Sequence, residues 1–205
     1  MFSGRPAALV KIGAHDGVQN DPTHELIVQN PQWTVLFVEP VKSLYQRLLE
    51  NYPAGGRYSF ENVAIAESAG TKPFYYVSDK ITTARRKAPW WYDQLGSFDR
   101  NHIVKHGRRF EPFIVTEDIR CDTLKAVLER NGLTGGVDLI HIDTEGFDYE
   151  VLKQIDFSAP RLRAVLYENQ HLNAADKAAA ELLVHTAGFK IKQFGIDTLA
   201  TRATD

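Results

Sequence analysis

The sequence predicts an α/β domain: a mostly parallel sheet with helices on both faces and an antiparallel closing strand. Three observations lead there. Short apolar runs of strand length alternate with helix-period stretches along most of the chain, the pattern of strand–helix–strand units. Runs such as Thr34-Val-Leu-Phe-Val38 are apolar almost throughout, not at every second residue, as strands covered on both faces are. Glycines bracket Gly13-Ala-His-Asp-Gly17, where the first strand would turn sharply and bring its backbone close to a ligand.

Taken in order, residues 8–13 read as the first strand and residues 22–30 as a helix opened by Asp21 as its cap. Residues 34–39 are the second strand. Residues 41–51 are a helix with Leu44, Leu48 and Leu49 on one stripe. Residues 60–66 and 72–77 are strands separated by the turn Ser68-Ala-Gly70. Residues 122–131 form a helix stopped by Gly132, residues 137–143 a strand, and residues 147–155 a helix. Residues 163–168 are a strand, 174–187 a helix, and 189–194 with 198–202 the closing pair. No repeat or linker divides the 205 residues, so one domain over 1–205 is expected, interrupted by an insertion at 85–109.

Composition removes several classes. With 43% hydrophobic residues the chain can build a core, which excludes disorder as its main state. A net charge of −2 supplies no global field to recruit nucleic acid or a membrane. Cys121 is the single cysteine, which excludes an intrachain disulfide and a cysteine zinc cage; it reads as a packed small apolar residue. No stretch approaches the roughly 20 apolar residues that span a bilayer, and the start lacks a signal-peptide pattern, so a cytoplasmic protein is expected.

The insertion breaks the pattern. It carries Arg85, Arg86, Lys87, Arg100, Lys105, Arg108 and Arg109 against Asp93 and Asp99, together with Trp90, Trp91, Tyr92 and Phe98. A mobile lid over an acceptor pocket is expected, its aromatics forming an apolar floor and its arginines recognising an anionic group. The alternatives are a loop packed on the body, or a patch that meets another copy of the chain.

In open parallel sheets ligands sit outside the carboxyl ends of the strands. The first strand runs into Gly13-Ala-His-Asp-Gly17. The second ends in Glu39-Pro40, about 20 residues on, where an acid can accept both ribose hydroxyls. Together they indicate an adenosine-containing cofactor.

These residues carry a family resemblance. Lys11-Ile-Gly-Ala-His-Asp-Gly17, Asn20-Asp-Pro22 and Leu36-Phe-Val-Glu-Pro40 resemble the opening of FkbM-type methyltransferases, which use S-adenosylmethionine. The likeness continues at Asn62-Val-Ala-Ile-Ala66, Cys121-Asp-Thr-Leu124, Ile140-His-Ile-Asp-Thr-Glu-Gly146 and Tyr167-Glu168. It implies a class I, Rossmann-like methyltransferase sheet and O-methylation of a sugar or other small-molecule hydroxyl. It places Gly13, Ala14, Asp16 and Gly17 under the methionine part of the cofactor and Glu39 with Pro40 on the ribose. Val63 and Ala64 would lie beside the adenine, with Asp143 also at the cofactor.

Lys11 departs from the pattern, since class I enzymes commonly carry an acid there. A lysine cannot accept the cofactor's ammonium bond, and once buried it needs an anion; Asp143 is the expected partner. Lys11 is also the best support for a catalytically silent binding module. Nucleic-acid methylation is disfavoured, because Asp143-Thr-Glu-Gly146 stands where base-methylating enzymes carry an Asn/Asp-Pro-Pro-aromatic motif.

Asp143, Glu145, Glu168 and Asn169 end two neighbouring strands. Carboxylates there can take the acceptor's proton, or hold a divalent ion that lowers its pKa. The set Asp143, Glu168 and Asn169 is similar to the magnesium site of catechol O-methyltransferases, and its hard oxygens suit Mg²⁺. Glu145 has an alternative use as a cap of the following helix. His141, on the strand face of Asp143, reads as a satisfied core residue, and His171 as a base candidate beside Asp143 and Glu145.

Overall fold

The computed structural model describes residues 2, 4–53, 55–84 and 88–202. The alternation of strand and helix patterns folds as β1 (Ala8–Ile12), α1 (His24–Gln29), β2 (Thr34–Val38), α2 (Lys42–Asn51) and β3 (Tyr58–Glu61). An excursion follows, holding β4 (Ala64–Ile65), β5 (Gly70–Val77), α3 (Lys80–Ala84), α4 (Arg100–Lys105) and β6 (Ile114–Asp122). Within it, Tyr92–Gln94 and Arg108–Phe113 are 3₁₀ turns. The chain then returns through α5 (Leu124–Arg130), β7 (Leu139–Ile142), α6 (Asp148–Leu152), β8 (Ala164–Glu168), α7 (Ala174–Thr186), β9 (Phe189–Phe194) and β10 (Asp197–Arg202).

The main sheet has the order β3-β2-β1-β7-β8-β10-β9. All its pairs are parallel except those of β10, which runs antiparallel to β8 and to β9. The continuous apolar runs bury both faces. Val10, Ile12, Leu36, Val38, Ile140 and Val165 pack with Val127 of α5, Val151 of α6 and Val184 of α7. Leu9, Val35, Phe37 and Leu139 point the other way, against Ile27 of α1, Leu48 of α2 and Tyr52. Each such side chain contributes about 1.5–3 kcal/mol by leaving water.

Three expectations are corrected. The strand expected over 60–66 is two strands in different sheets: β3 pairs β2, and β4 pairs β6 in a second sheet of order β4-β6-β5. Asn62 makes the break, its side-chain amide donating to the carbonyls of Glu39 and Pro40 at 2.8 and 2.9 Å and turning the chain out of the main sheet. Asp122 ends β6 and does not open a helix; α5 is capped by Thr123, whose Oγ1 accepts from the Ala126 N–H at 3.2 Å. Asp21 does not cap α1. Its carboxylate accepts from the Thr23 N–H and hydroxyl at 2.8 and 2.7 Å, and α1 starts after Thr23 without a side-chain cap.

Within the insertion, Arg85, Arg86 and Lys87 lie outside the described residues. The rest folds back onto the second sheet. Ser97 and Tyr75 exchange both backbone hydrogen bonds at 2.9 Å, and Asp99 caps α4. Leu95, Ile103 and Phe110 join Val77 and Ile81 in a small core of their own.

Candidate active site

The carboxyl ends of β1, β2, β7 and β8 face the second sheet and the insertion across a cavity of about 380 Å³. Gly13 sets its floor. At φ +74 its Cβ would sit 1.7 Å from the Asp143 carbonyl oxygen, so only glycine lets the loop after β1 cross the end of β7. His15, also left-handed at φ 53, donates its N–H to Glu39 Oε2 at 2.8 Å, and the Val41 N–H donates to Glu39 Oε1 at 2.8 Å. Burial, reinforced by the Asp143 charge, pushes the Glu39 carboxyl up to about 7 against these donors.

Of the cofactor residues read from the sequence, Gly13, Ala14, Glu39, Pro40, Val63, Ala64 and Asp143 line this cavity. Asp16 and Gly17 are not among its lining residues. Asp16 accepts the N–H groups of Val18 and Gln19 at 2.9 and 2.7 Å, which closes the loop. A Cβ on Gly17 would press on the Tyr52 ring at 2.6 Å, and the Tyr52 hydroxyl donates to the Gly17 carbonyl at 2.8 Å. These two residues shape the loop from behind.

Lys11 finds its anion in Asp21, not in Asp143. The register pairs Lys11 with His141 across β1 and β7, and its ammonium reaches Asp21 Oδ1 at 2.8 Å and His141 Nδ1 at 3.1 Å. Burial and the Lys11 charge push His141 down to about 3, so it is the neutral, satisfied core histidine the sequence suggested. Asp143 is half-buried just past the end of β7; burial raises its carboxyl, and the Lys11 charge opposes that in part.

Glu145 does not cap the next helix, which starts after Phe147 without a side-chain cap. Asp148, its first residue, fixes the preceding turn, its Oδ2 accepting from the Thr144 hydroxyl at 2.9 Å and from the N–H groups of Gly146 and Thr144 at 3.3 and 3.4 Å. Glu145 instead adopts φ 53 and sends Oε2 to His102 Nε2 at 2.9 Å and His171 Nε2 at 3.3 Å. Burial and the Asp143 charge push Glu145 up to about 8; burial and the charges of Asp143, Glu145 and Asp148 push Glu168 up to about 9. Burial and neighbouring positive charges push His171 down to about 3, which leaves it a weak base.

Of the oxygen triad read from the sequence, Asp143 and Glu168 line the cavity and Asn169 is not among its lining residues. The Asn169 amide donates to Gln193 Oε1 at 2.6 Å and Thr198 Oγ1 at 2.7 Å, on the hairpin of β9 and β10. The groups that do converge are Glu145, Glu168 and His171, each with a ligand atom within 4.8 Å of the others.

Four residues that the sequence reading did not assign to the site complete it. His15 stands 3.4 Å from Asp16 and 3.5 Å from Asp93. Burial alone would lower its imidazole, but the two carboxylates outweigh that and push it up to about 9. Asp93, also held by Arg47 Nη2 at 2.9 Å, thereby ties the insertion to α2 and to the loop after β1. His102 and His106 bring α4 to His171, with ring centroids 4.8 and 5.3 Å away. Their spacing of one helical turn was the available signal, overshadowed by the bases around it.

Trp90, Trp91 and Phe98 of the insertion reach the cavity, where the lid reading put them. Its described arginines do not line it: Arg100, Arg108 and Arg109 are exposed, and Arg109 lies over the Phe110 ring at 5.0 Å. Cys121 is buried as expected, its thiol 3.7 Å from the Ile119 carbonyl. Among the described residues no helix is long and apolar enough to cross a membrane.

Solved structures with a similar course of chain include the ribosomal protein L11 methylase of Lactobacillus delbrueckii subsp. bulgaricus. It is 10% identical with a TM-score of 0.44, over 98% of this chain and 73% of that one. Aeropyrum pernix fibrillarin, in complex with natively bound S-adenosyl-L-methionine, matches at 11% identity and TM-score 0.47, over 95% and 66%. Human methyltransferase-like protein 13, in complex with SAH, matches at 11% and 0.48, over 97% and 72%. No curated protein matches the chain. The family description "Methyltransferase FkbM domain", in contrast, matches residues 11–191, which take in β1, the loop after it, Glu39 and the acids after β7 and β8, and so the chain belongs to the FkbM methyltransferase family.

Proposed function

We propose that this chain transfers the methyl group of S-adenosylmethionine to a hydroxyl of a small molecule or sugar. The observation that carries the reading is Glu39: buried at the end of β2, each carboxylate oxygen spends one lone pair on a backbone N–H and keeps another for a ribose hydroxyl. Val63, Ala64 and Leu44 offer the adenine an apolar wall, and Gly13 lets the loop pass close beneath the methionine part. Among the described residues the cavity is lined by six carboxyl groups (Asp21, Glu39, Asp93, Asp143, Glu145, Glu168), one lysine and no arginine. That lining complements a ligand with sulfonium and ammonium charges. Lys11, neutralised by Asp21, does not oppose it.

When bound, the cofactor supplies an electrophilic methyl group. The chain's part is to align the acceptor oxygen and take its proton. Glu145, raised towards neutral pH by burial, is matched to receive it, with His171 orienting it from 3.3 Å, while Glu168, pushed up to about 9, keeps its own proton at neutral pH. Trp90, Trp91 and Phe98 suit the flat face of a ring. This reading takes the acceptor to be a neutral hydroxyl compound, since the described arginines of the basic insertion lie away from the cavity.

Calorimetry with S-adenosylmethionine and S-adenosylhomocysteine tests the proposal. Glu39→Gln is expected to weaken both by about 1.5–3 kcal/mol, roughly ten- to a hundredfold, through lost charge-assisted bonds. Thermal melts without ligand show whether the variant stays folded. Equal affinity in a folded variant, or no binding to the unaltered protein, overturns the reading.

A further inference from the structure

We propose that His102, His106 and His171 form a binding site for one divalent transition-metal ion of the zinc class, set in the wall of the cavity. The three imidazoles come from different parts of the chain: His102 from α4, His106 from its C-terminal cap, and His171 from the loop after β8. Their ring centroids lie 4.8 to 5.3 Å apart, and one ring nitrogen from each falls within 4.8 Å of the other two. Around a tetrahedral ion bound at about 2.0–2.1 Å, ligand atoms stand about 3.3 Å from one another. Glu145 Oε2 stands beside the group, at 2.9 Å from His102 Nε2 and 3.3 Å from His171 Nε2.

Two further observations point to a missing partner. His106 Nε2 is buried with no hydrogen-bond partner, a costly state that a metal ion relieves. Glu145 is held at φ 53, a left-handed backbone uncommon outside glycine, and this directs its carboxylate at the histidines. Gly146, at φ +98, lets the chain turn close to His171: a Cβ there would stand 3.3 Å from the His171 carbonyl.

Three imidazole nitrogens select zinc-like ions over Mg²⁺, which prefers an all-oxygen octahedron. The set is also separate from Asp143 and Asn169, the oxygen ligands suggested by the sequence. Glu168, with Oε1 3.6 Å from His171 Nε2, adjoins it on the cavity side. An ion here would polarise an acceptor hydroxyl; that use rests on the proposed methyl transfer, while the site itself does not.

The test is a titration of chelator-treated, full-length protein with Zn²⁺ by calorimetry, without cofactor, alongside Co²⁺ followed by its visible absorption. The expected result is one equivalent of Zn²⁺ bound, no heat from Mg²⁺ at the same concentrations, and a cobalt spectrum with nitrogen-ligand character. His106→Gln, at a partly exposed position, and His102→Gln are each expected to weaken Zn²⁺ binding at least about tenfold. Folding is read from circular dichroism melts. No Zn²⁺ binding by the folded protein overturns the proposal, as does affinity unchanged in both variants. Because no cofactor is present, either outcome is independent of the result with Glu39→Gln.

Discussion

Asp148 is a carboxyl group without exposure to water, held by Thr144 and Gly146 through one oxygen. Burial, then the charge of Asp143, pushes it from 3.8 up to about 7. A carboxyl raised by folding favours the folded state when protonated, so its contribution is full below about pH 4 and is lost as pH rises through 7. Asp148→Asn keeps the accepting oxygen and removes the titration. Melts at pH 5 and pH 8 are therefore expected to show the variant gaining on the unaltered protein with pH, by about 2–4 kcal/mol in stability. A difference that does not change with pH sinks the assignment. The neighbouring Lys11 shows where the sequence stops at this scale. That a lysine in a covered strand needs an anion was legible from residue chemistry alone. Which anion depends on the pairing of β1 with β7 and on the loop that carries Asp21, and neither is written in the local pattern.

The loop after β1 is an element fixed by contact more than by conformation. Gly13→Ala would place a methyl group 1.7 Å from a backbone oxygen that cannot swing aside, on a residue already at φ +74. Strain and overpacking together predict a loss on the order of 3–5 kcal/mol in urea unfolding. Gly132→Ala, at φ +71 with no atom within 4 Å, is expected to cost only the strained backbone, about 1 kcal/mol. Equal losses at the two sites would show that close approach to Asp143 is not what requires glycine. Elements with a long apolar pattern were legible, which is why β1, β2, β7, β8 and α7 fall within a residue or two of the expected bounds. β6 was not, because Thr116, Glu117, Asp118 and Arg120 break its apolar run; partnership with β5 over eight residues holds it as a strand. The placement of the insertion over the site was legible from its aromatics. The outward course of its described arginines was not, since charge in a sequence carries no direction.

At the scale of the molecule, the cavity is a joint between two sheets of different origin. Strand–helix alternation announced the main sheet and its antiparallel closure. The second sheet stayed hidden, because its strands are short or polar and pair only after the chain has left and come back. That departure has a narrow base. β4 lies beside the end of β6, with Ala64 opposite Cys121 and Ile65 opposite Asp122, and the Arg130 guanidinium of α5 bonds both Glu61 before the excursion and Asp122 at its end. Gly13, Glu39, Ala64 and Asp143 stay outside residues 66–122, whereas Trp90, Trp91, Phe98, His102 and His106 all lie within them. The stretch is a cassette with adjacent ends, the Ala66 N–H donating to the Asp122 carbonyl at 2.8 Å, laid on a frame that carries the residues proposed for the cofactor. A chimera that exchanges 66–122 for the matching stretch of another family member, leaving Glu61, Asn62 and Arg130 in place, is expected to keep its affinity for S-adenosylhomocysteine in calorimetry while its choice of acceptor follows the donor. In such a chain, new acceptor specificity can be acquired by transplanting one continuous segment, without rebuilding the fold that receives it.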